Sequence, residues 1–127
     1  GVDVRILTPG RNTDRMSTYH AAMAGYEELL EGGVRLFHYR PTMVHAKTVV
    51  ADGVWSSVGT INFDNRSMVL NDEIAVIVRD QDFAARMEKL FLADLEHADE
   101  VTLEEVRARG RIARLRERLY VAVAPFL

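Results

Sequence analysis

One stretch of this sequence concentrates the side chains that phosphate chemistry needs. It reads His45-Ala46-Lys47, four residues, Asp52, six residues, then Gly59-Thr60-Ile61-Asn62, with Glu73 eleven residues further on. An imidazole titrates near neutral pH and can serve as nucleophile or as acid and base. A fixed ammonium beside it supplies positive charge where phosphate oxygens gather negative charge. Side chains at i and i+2 of a strand share a face, so a strand through this region points His45 and Lys47 together and Ala46 and Thr48 away. Asp52-Gly53 is the strongest short hairpin signal, and it returns the chain so that residues 59–62 arrive beside the first pair. Gly59 permits close backbone approach, while the Thr60 hydroxyl and the Asn62 amide can donate to phosphate oxygens. Glu73 can accept from the other ring nitrogen of His45, fixing its tautomer and supporting a transient imidazolium. No step of this scheme requires a metal or a cofactor.

The elements that must position these residues are legible in the flanking pattern. Val2 to Leu7 alternates, is rich in β-branched residues and stops at Pro9-Gly10, which predicts a strand. From Met16 to Glu31 the spacing of Tyr19, Met23, Tyr26, Leu29 and Leu30 fits one helical face, closed by Gly32-Gly33. A second strand, 34–39, ends before Pro41. The runs 43–51 and 54–58 form the predicted hairpin, residues 59–71 a polar loop, and 73–78 a fifth strand. Residues 81–97 make a long amphipathic helix with Phe83, Met87, Leu90, Phe91 and Leu95 on its apolar side. Thr102-Leu103-Glu104-Glu105 has the form of a capping box. The tail, from residue 111 on, is helical and Arg-rich. Strand, helix and strand followed by a hairpin and a further strand argue for an α/β fold, a mixed sheet with flanking helices.

Composition narrows the class. A chain of 127 residues with 48% apolar and 28% charged residues has the profile of one globular domain with a real core. The formal charge of −3 gives no basic balance of the kind that nucleic-acid binders show. There is no cysteine, which excludes a disulfide framework, a thiolate nucleophile and a Cys-based zinc site. No run approaches the roughly 18 apolar residues of a membrane span. The chain opens almost directly on a strand, as expected of a fragment of something longer.

The motif residues resemble the HxKx4Dx6GSxN signature of the phospholipase D superfamily, with Thr60 where Ser is usual. The downstream run Phe63-Asp64-Asn65-Arg66-Ser67-Met68-Val69-Leu70-Asn71, the opening Gly1 to Ile6, the block Glu31-Gly32-Gly33-Val34 and the region Thr102 to Glu105 resemble bacterial cardiolipin synthases. The resemblance covers nearly the whole chain, as the C-terminal half of a two-motif enzyme. It implies a phospholipase D-like half in which two motifs meet at a pseudo-dyad. One His forms a phosphohistidine, and the other protonates the leaving alcohol and deprotonates the incoming one. It further implies transfer of a phosphatidyl group to a phosphatidylglycerol-like acceptor, with the parent protein at the bacterial cytoplasmic membrane. As the second motif, His45 takes the acid/base role; Lys47, Asn62 and Thr60 hold phosphate, Glu73 orients His45, and Asp52 matches the family's Asp at a turn. The partner is the other motif half of the parent chain, or a second copy.

Blander readings compete at other positions. His20, His38 and His97 lack any partner pattern and fit structural roles. Trp55 fits a half-buried strand aromatic, and Arg66 a structural ion pair as well as a headgroup ligand. In the tail, the apolar stripe of Ile112, Leu115 and Leu119 among arginines suits either a membrane surface or a helix docked on the domain. Two other functions remain open: a single-motif phosphodiesterase or nuclease that completes its site across a homodimer, and a degenerate binding domain. The intact motif argues against the second; the acidic balance argues against a nuclease.

Overall fold

The β-branched runs become short strands, most of them paired with the next strand in sequence. The computed structural model describes residues 1–62 and 71–123. In chain order the described elements are β1 (Arg5–Thr8), α1 (Met16–Glu31), β2 (Arg35–Tyr39), β3 (Thr48–Ala51), β4 (Trp55–Gly59), β5 (Ala75–Arg79), α2 (Gln81–Leu95), β6 (Ala98–Val101), α3 (Leu103–Ala108) and α4 (Arg111–Val123). They form two compact units, one of Gly1–Val44 with His97–Leu127, the other of His45–Glu96.

In the first unit β1 and β2 run parallel, joined through α1, and β6 lies antiparallel on the other side of β2. The helical periodicity of α1 is met in the main: Met23 and Tyr26, one turn apart, are buried, with Tyr19 and Leu30 partly buried against the same core, while Leu29, expected on that face, is exposed. Leu36, Val101 and Val106 complete that core. Leu36 is only 1% exposed, so truncating it to Ala removes a fully packed side chain at a cost of ~2–5 kcal/mol. The capping box is present, with the Thr102 hydroxyl accepting from Glu105 N–H and the Glu105 carboxylate accepting from Thr102 N–H. After α3, the Arg109 guanidinium donates to the Glu117 carboxylate of α4 at 2.7 Å, and both side chains are largely buried.

The second unit is an antiparallel meander, β3-β4-β5, with α2 packed on β3 and β4. The Asp80 carboxylate accepts from Phe83 N–H at 2.7 Å and caps α2. Asp52 and Gly53 have φ of 52° and 63°, the paired left-handed conformations that tight hairpins demand, and Val54 N–H closes on the Ala51 carbonyl. Trp55, half-buried, opens β4 opposite Ala51 and Arg79.

The α/β class and the flanking helices agree with the sequence pattern, but three details differ. The strands fall into two three-stranded sheets rather than one. The first hairpin strand begins at Thr48 rather than Met43, because pairing stops where Gly59 N–H meets the Lys47 carbonyl at 3.1 Å. The sequence pattern also missed β6: its four residues include Asp99 and Glu100, poor strand formers, and cross-strand partners hold it instead. Arg35 makes a two-pronged bond to the Glu100 carboxylate at 2.8 Å, and Arg40 pairs with Asp99 at 3.4 Å.

Candidate active site

The second unit carries every described motif residue. At one end of its sheet three chain segments converge: the approach to β3, the exit of β4 and the approach to β5. Backbone bonds tie them together there. Gly59 N–H donates to the Lys47 carbonyl at 3.1 Å, and Thr60 N–H donates to the Ile74 carbonyl at 2.9 Å. This sets Lys47, Thr60 and the residue beside Glu73 at one sheet end, with His45 two residues before Lys47 and Asn62 two residues past Thr60.

His45 is exposed and lies just outside β3. The Lys47 ammonium donates to the His45 carbonyl at 2.9 Å, so the cation curls over the peptide that carries the imidazole. His45 and Lys47 both precede β3, so the shared strand face expected of them is not formed. Asn62 is exposed, two residues past Thr60. The half-buried Glu73 carboxylate accepts from the Asn71 amide at 3.3 Å, which holds the acid on its own segment.

Two motif residues have local structural work. A Cβ added at Gly59 would lie 2.2 Å from the Ile74 carbonyl oxygen and 2.7 Å from Ala75 Cα. The close approach that glycine permits here is therefore between β4 and the backbone entering β5. The Thr60 hydroxyl accepts from Ile74 N–H at 3.1 Å and donates to the Ile74 carbonyl at 3.4 Å. A hydroxyl has one proton, so donation to a phosphate would require release of that carbonyl. Asp52 sits in the hairpin turn, at the far end of β3 from Lys47; at ~3.3 Å per residue the two are separated by the full length of the strand. The turn accounts for Asp52, and the fold does not bring it beside His45. Arg66 and the run Phe63 to Leu70 lie outside the described residues. Sequence reasoning did not single out Ile74, whose backbone links Thr60 to the Glu73 segment. A backbone partner leaves no mark in residue type.

Two histidines of the first unit, His38 and His20, pack against aromatic side chains. The His38 ring nitrogen shares a hydrogen bond with Tyr26 OH at 3.2 Å, and burial pushes its pKa down. His20 is buried, stacks on Tyr120 at 5.3 Å between ring centres, and also has its pKa lowered, chiefly by desolvation. A cleft of about 310 Å³ in that unit is lined by Arg11, Tyr19, His38, Asp99, Glu105 and Arg109 among others, and none of the motif residues lines it. Among the described residues no group of three His, Asp or Glu side chains is arranged to hold a metal ion.

Comparison with known proteins matches residues 1–95 to the family described as cardiolipin synthase, PLD-like domain. This chain belongs to that family. Over all 127 residues it is 39% identical to cardiolipin synthase A of Pseudomonas putida and 35% identical to cardiolipin synthase 2 of Staphylococcus epidermidis. In each case it spans 26% of the relative's length, about a quarter of those proteins. Among solved structures, a phospholipase D family member, Nuc, from Salmonella typhimurium superposes with a TM-score of 0.67 at 25% identity, over 80% of this chain and 66% of that one. The phospholipase D-like fold that the resemblance implied agrees with this structural neighbour.

Proposed function

We propose that this chain supplies one half-site of a phosphatidyl-transferring enzyme of the cardiolipin synthase type. The observation that carries the proposal is the convergence, at one tied sheet end, of the chain segments that bear His45, Lys47, Asn62 and Glu73. Such a group can cradle one phosphodiester while a second motif half covers it from the other side. In this reading the partner half's His attacks phosphorus and forms the phosphohistidine. His45 gives its proton to the departing alkoxide and then takes one from the incoming alcohol, so the proton returns at the end of each cycle. Lys47 and Asn62 hold the non-bridging oxygens, and Glu73 steadies the His45 imidazolium. Thr60 serves first as the clamp between β4 and β5. The donor and acceptor are phosphatidylglycerol-like lipids, which places the parent protein at the membrane surface. Membership of a family whose curated relatives are cardiolipin synthases supports this reading.

A second reading has one observation in its favour. The Nuc chain is not much longer than this one, so a phospholipase D family member can be of single-half size. On that reading two copies of this chain complete one phosphodiesterase site between them.

The test is His45→Ala in the protein that carries this chain, assayed for phosphatidyl transfer. Removal of an acid/base group of this kind is expected to lower turnover by about 10²–10⁴-fold, with lipid binding retained. Turnover within a few-fold of the wild type would remove His45 from the mechanism.

A further inference from the structure

The helix α4 is oriented the wrong way round for a simple surface helix. Its one acid, Glu117, is 4% exposed and bound to Arg109, and Tyr120, on the same side, stacks on His20 of α1. The opposite side presents Ile112, Leu115 and Leu119, which are 86%, 61% and 60% exposed. At 3.6 residues per turn these three line up along one stripe, about opposite the Ala113–Glu117–Tyr120 side that faces the unit. Arg116 falls on one flank of the stripe and Arg114 on the other; both are exposed. Among the described residues neither has a carboxylate partner, and Arg114 bonds only the Arg107 carbonyl, at 2.5 Å.

We propose that α4 is a monotopic anchor that lays this stripe into the headgroup region of an anionic phospholipid surface. The polar contacts to α1 and α3 fix which side faces out, and the flanking arginines can reach lipid phosphates while the aliphatic side chains enter the acyl boundary. Thirteen residues rise only ~20 Å, short of the ~30 Å hydrocarbon core, so the helix lies on the bilayer rather than crossing it. Charge selects the occupant. The unpaired charges beside the stripe are positive, so an anionic bilayer is attracted. A second copy of the same face would set arginine against arginine. The choice of a lipid occupant rests on the phospholipid reading of the active site; the stripe itself does not.

Sedimentation of the 127-residue chain with vesicles tests this. Vesicles of phosphatidylcholine are compared with vesicles that also contain phosphatidylserine, an anionic lipid chosen so that binding at a phosphatidylglycerol site does not intervene. Partitioning onto the anionic vesicles should exceed that onto phosphatidylcholine by about tenfold or more and should fall with added salt. The triple variant I112S/L115S/L119S should lose about tenfold or more in partitioning, with its helical circular dichroism retained. R114Q/R116Q, which leaves the stripe intact, should lose a comparable amount, since each basic residue near the surface is worth roughly fivefold. His45→Ala should bind vesicles like the wild type even if it proves catalytically silent or unaffected, which separates this inference from the proposed activity. Should the triple variant lose its helix, the glutamine pair and the single Ile112→Ser decide. Failure of the wild type to bind anionic vesicles would overturn the proposal, as would binding indifferent to these substitutions or stripe-dependent self-association without vesicle binding.

Discussion

The Lys47 ammonium is already held over the His45 peptide by its bond to the His45 carbonyl, while the Thr60 hydroxyl is committed to both backbone groups of Ile74. The two residues therefore differ in what they can give a phosphate. Lys47 has three donors and uses one; Thr60 has one donor and uses it. Lys47→Ala should abolish weak binding of inorganic phosphate or vanadate beside His45 while the thermal midpoint barely moves. Thr60→Val should do the reverse, leaving anion affinity within about twofold while lowering stability by ~1–2 kcal/mol, because Ile74 loses its partner at the sheet end. Titration of both variants, followed by the His45 ring resonances and by thermal melts, checks the contrast. If Thr60→Val lost anion binding with an unchanged melt, the hydroxyl would belong to the phosphate cradle after all. The positions His45, Lys47, Asn62 and Glu73 stood out in the sequence because side-chain chemistry and spacing mark them, and their segments meet at one sheet end. The duties of Thr60 and Gly59 were not, because their partners are backbone atoms.

Among the elements, α1 and the hairpin were legible because period and turn chemistry agree with burial: Met23 and Tyr26 fall on the inner face, and Asp52-Gly53 takes the left-handed conformations. β6 was not, since its cohesion comes from Arg35 and Arg40, some sixty residues away in sequence. Gly59 makes the element scale testable. Gly59→Ala places a methyl 2.2 Å from a carbonyl oxygen and cannot be relieved by a flexible side chain. The β4-β5 pairing must open, at a cost of about 2–4 kcal/mol on the scale of overpacking and lost ladder bonds. Urea unfolding should show that loss, and hydrogen exchange should speed at Thr60 and Gly59 before β1 and β2 respond.

The packing of α4 on α1 should depend on pH through His20, which stacks on Tyr120. His20 has its pKa held below the ordinary imidazole value of 6.5, first by desolvation and then by the Arg116 and Arg11 charges, with Glu117 opposing them. Tyr19 and Tyr120 are its ring neighbours. For a base whose folded-state pKa is depressed, the unfolded chain binds more protons in acid. The contribution of His20 to the stability of the first unit should thus be complete above about pH 6.5 and be lost as the pH falls below it. His20→Phe keeps the stack on Tyr120 and should leave only the shallower acid slope due to His38, whose pKa is also lowered by burial. Thermal midpoints from pH 7.5 down to pH 5 measure the difference; identical slopes in the two proteins would assign the acid sensitivity elsewhere.

At the scale of the whole molecule, the second unit leaves several large apolar side chains exposed. Its fully buried described side chains are Ser56 and Ala84, both small. Its edge strand β5 shows Val76 at 60% and Ile77 at 64% exposure, residues that point to opposite faces, and Ile74 and Leu90 are exposed as well. β5 also ends its sheet, so its outer backbone groups have no strand beside them in that sheet. An apolar edge of this kind is a template for another strand or surface. The half-site reading supplies the occupant, since a phosphodiester flanked by two histidines needs a second motif half close to the first. The chain on its own should therefore associate, with β5 and its exposed valine and isoleucine covered. Sedimentation equilibrium should show a reversible dimer. Ile77→Lys, which puts a charge on the edge without touching His45 or Lys47, should weaken it by about tenfold or more, as burial of an aliphatic side chain at ~25 cal/mol per Å² implies. If the two copies pair with their motifs facing, a crosslinker of phosphate length placed at position 45 should join them in the wild type and not in Ile77→Lys. A chain that stays monomeric at high concentration would show that β5 is tolerated bare, and the need for a second half would then rest on the chemistry of His45 alone.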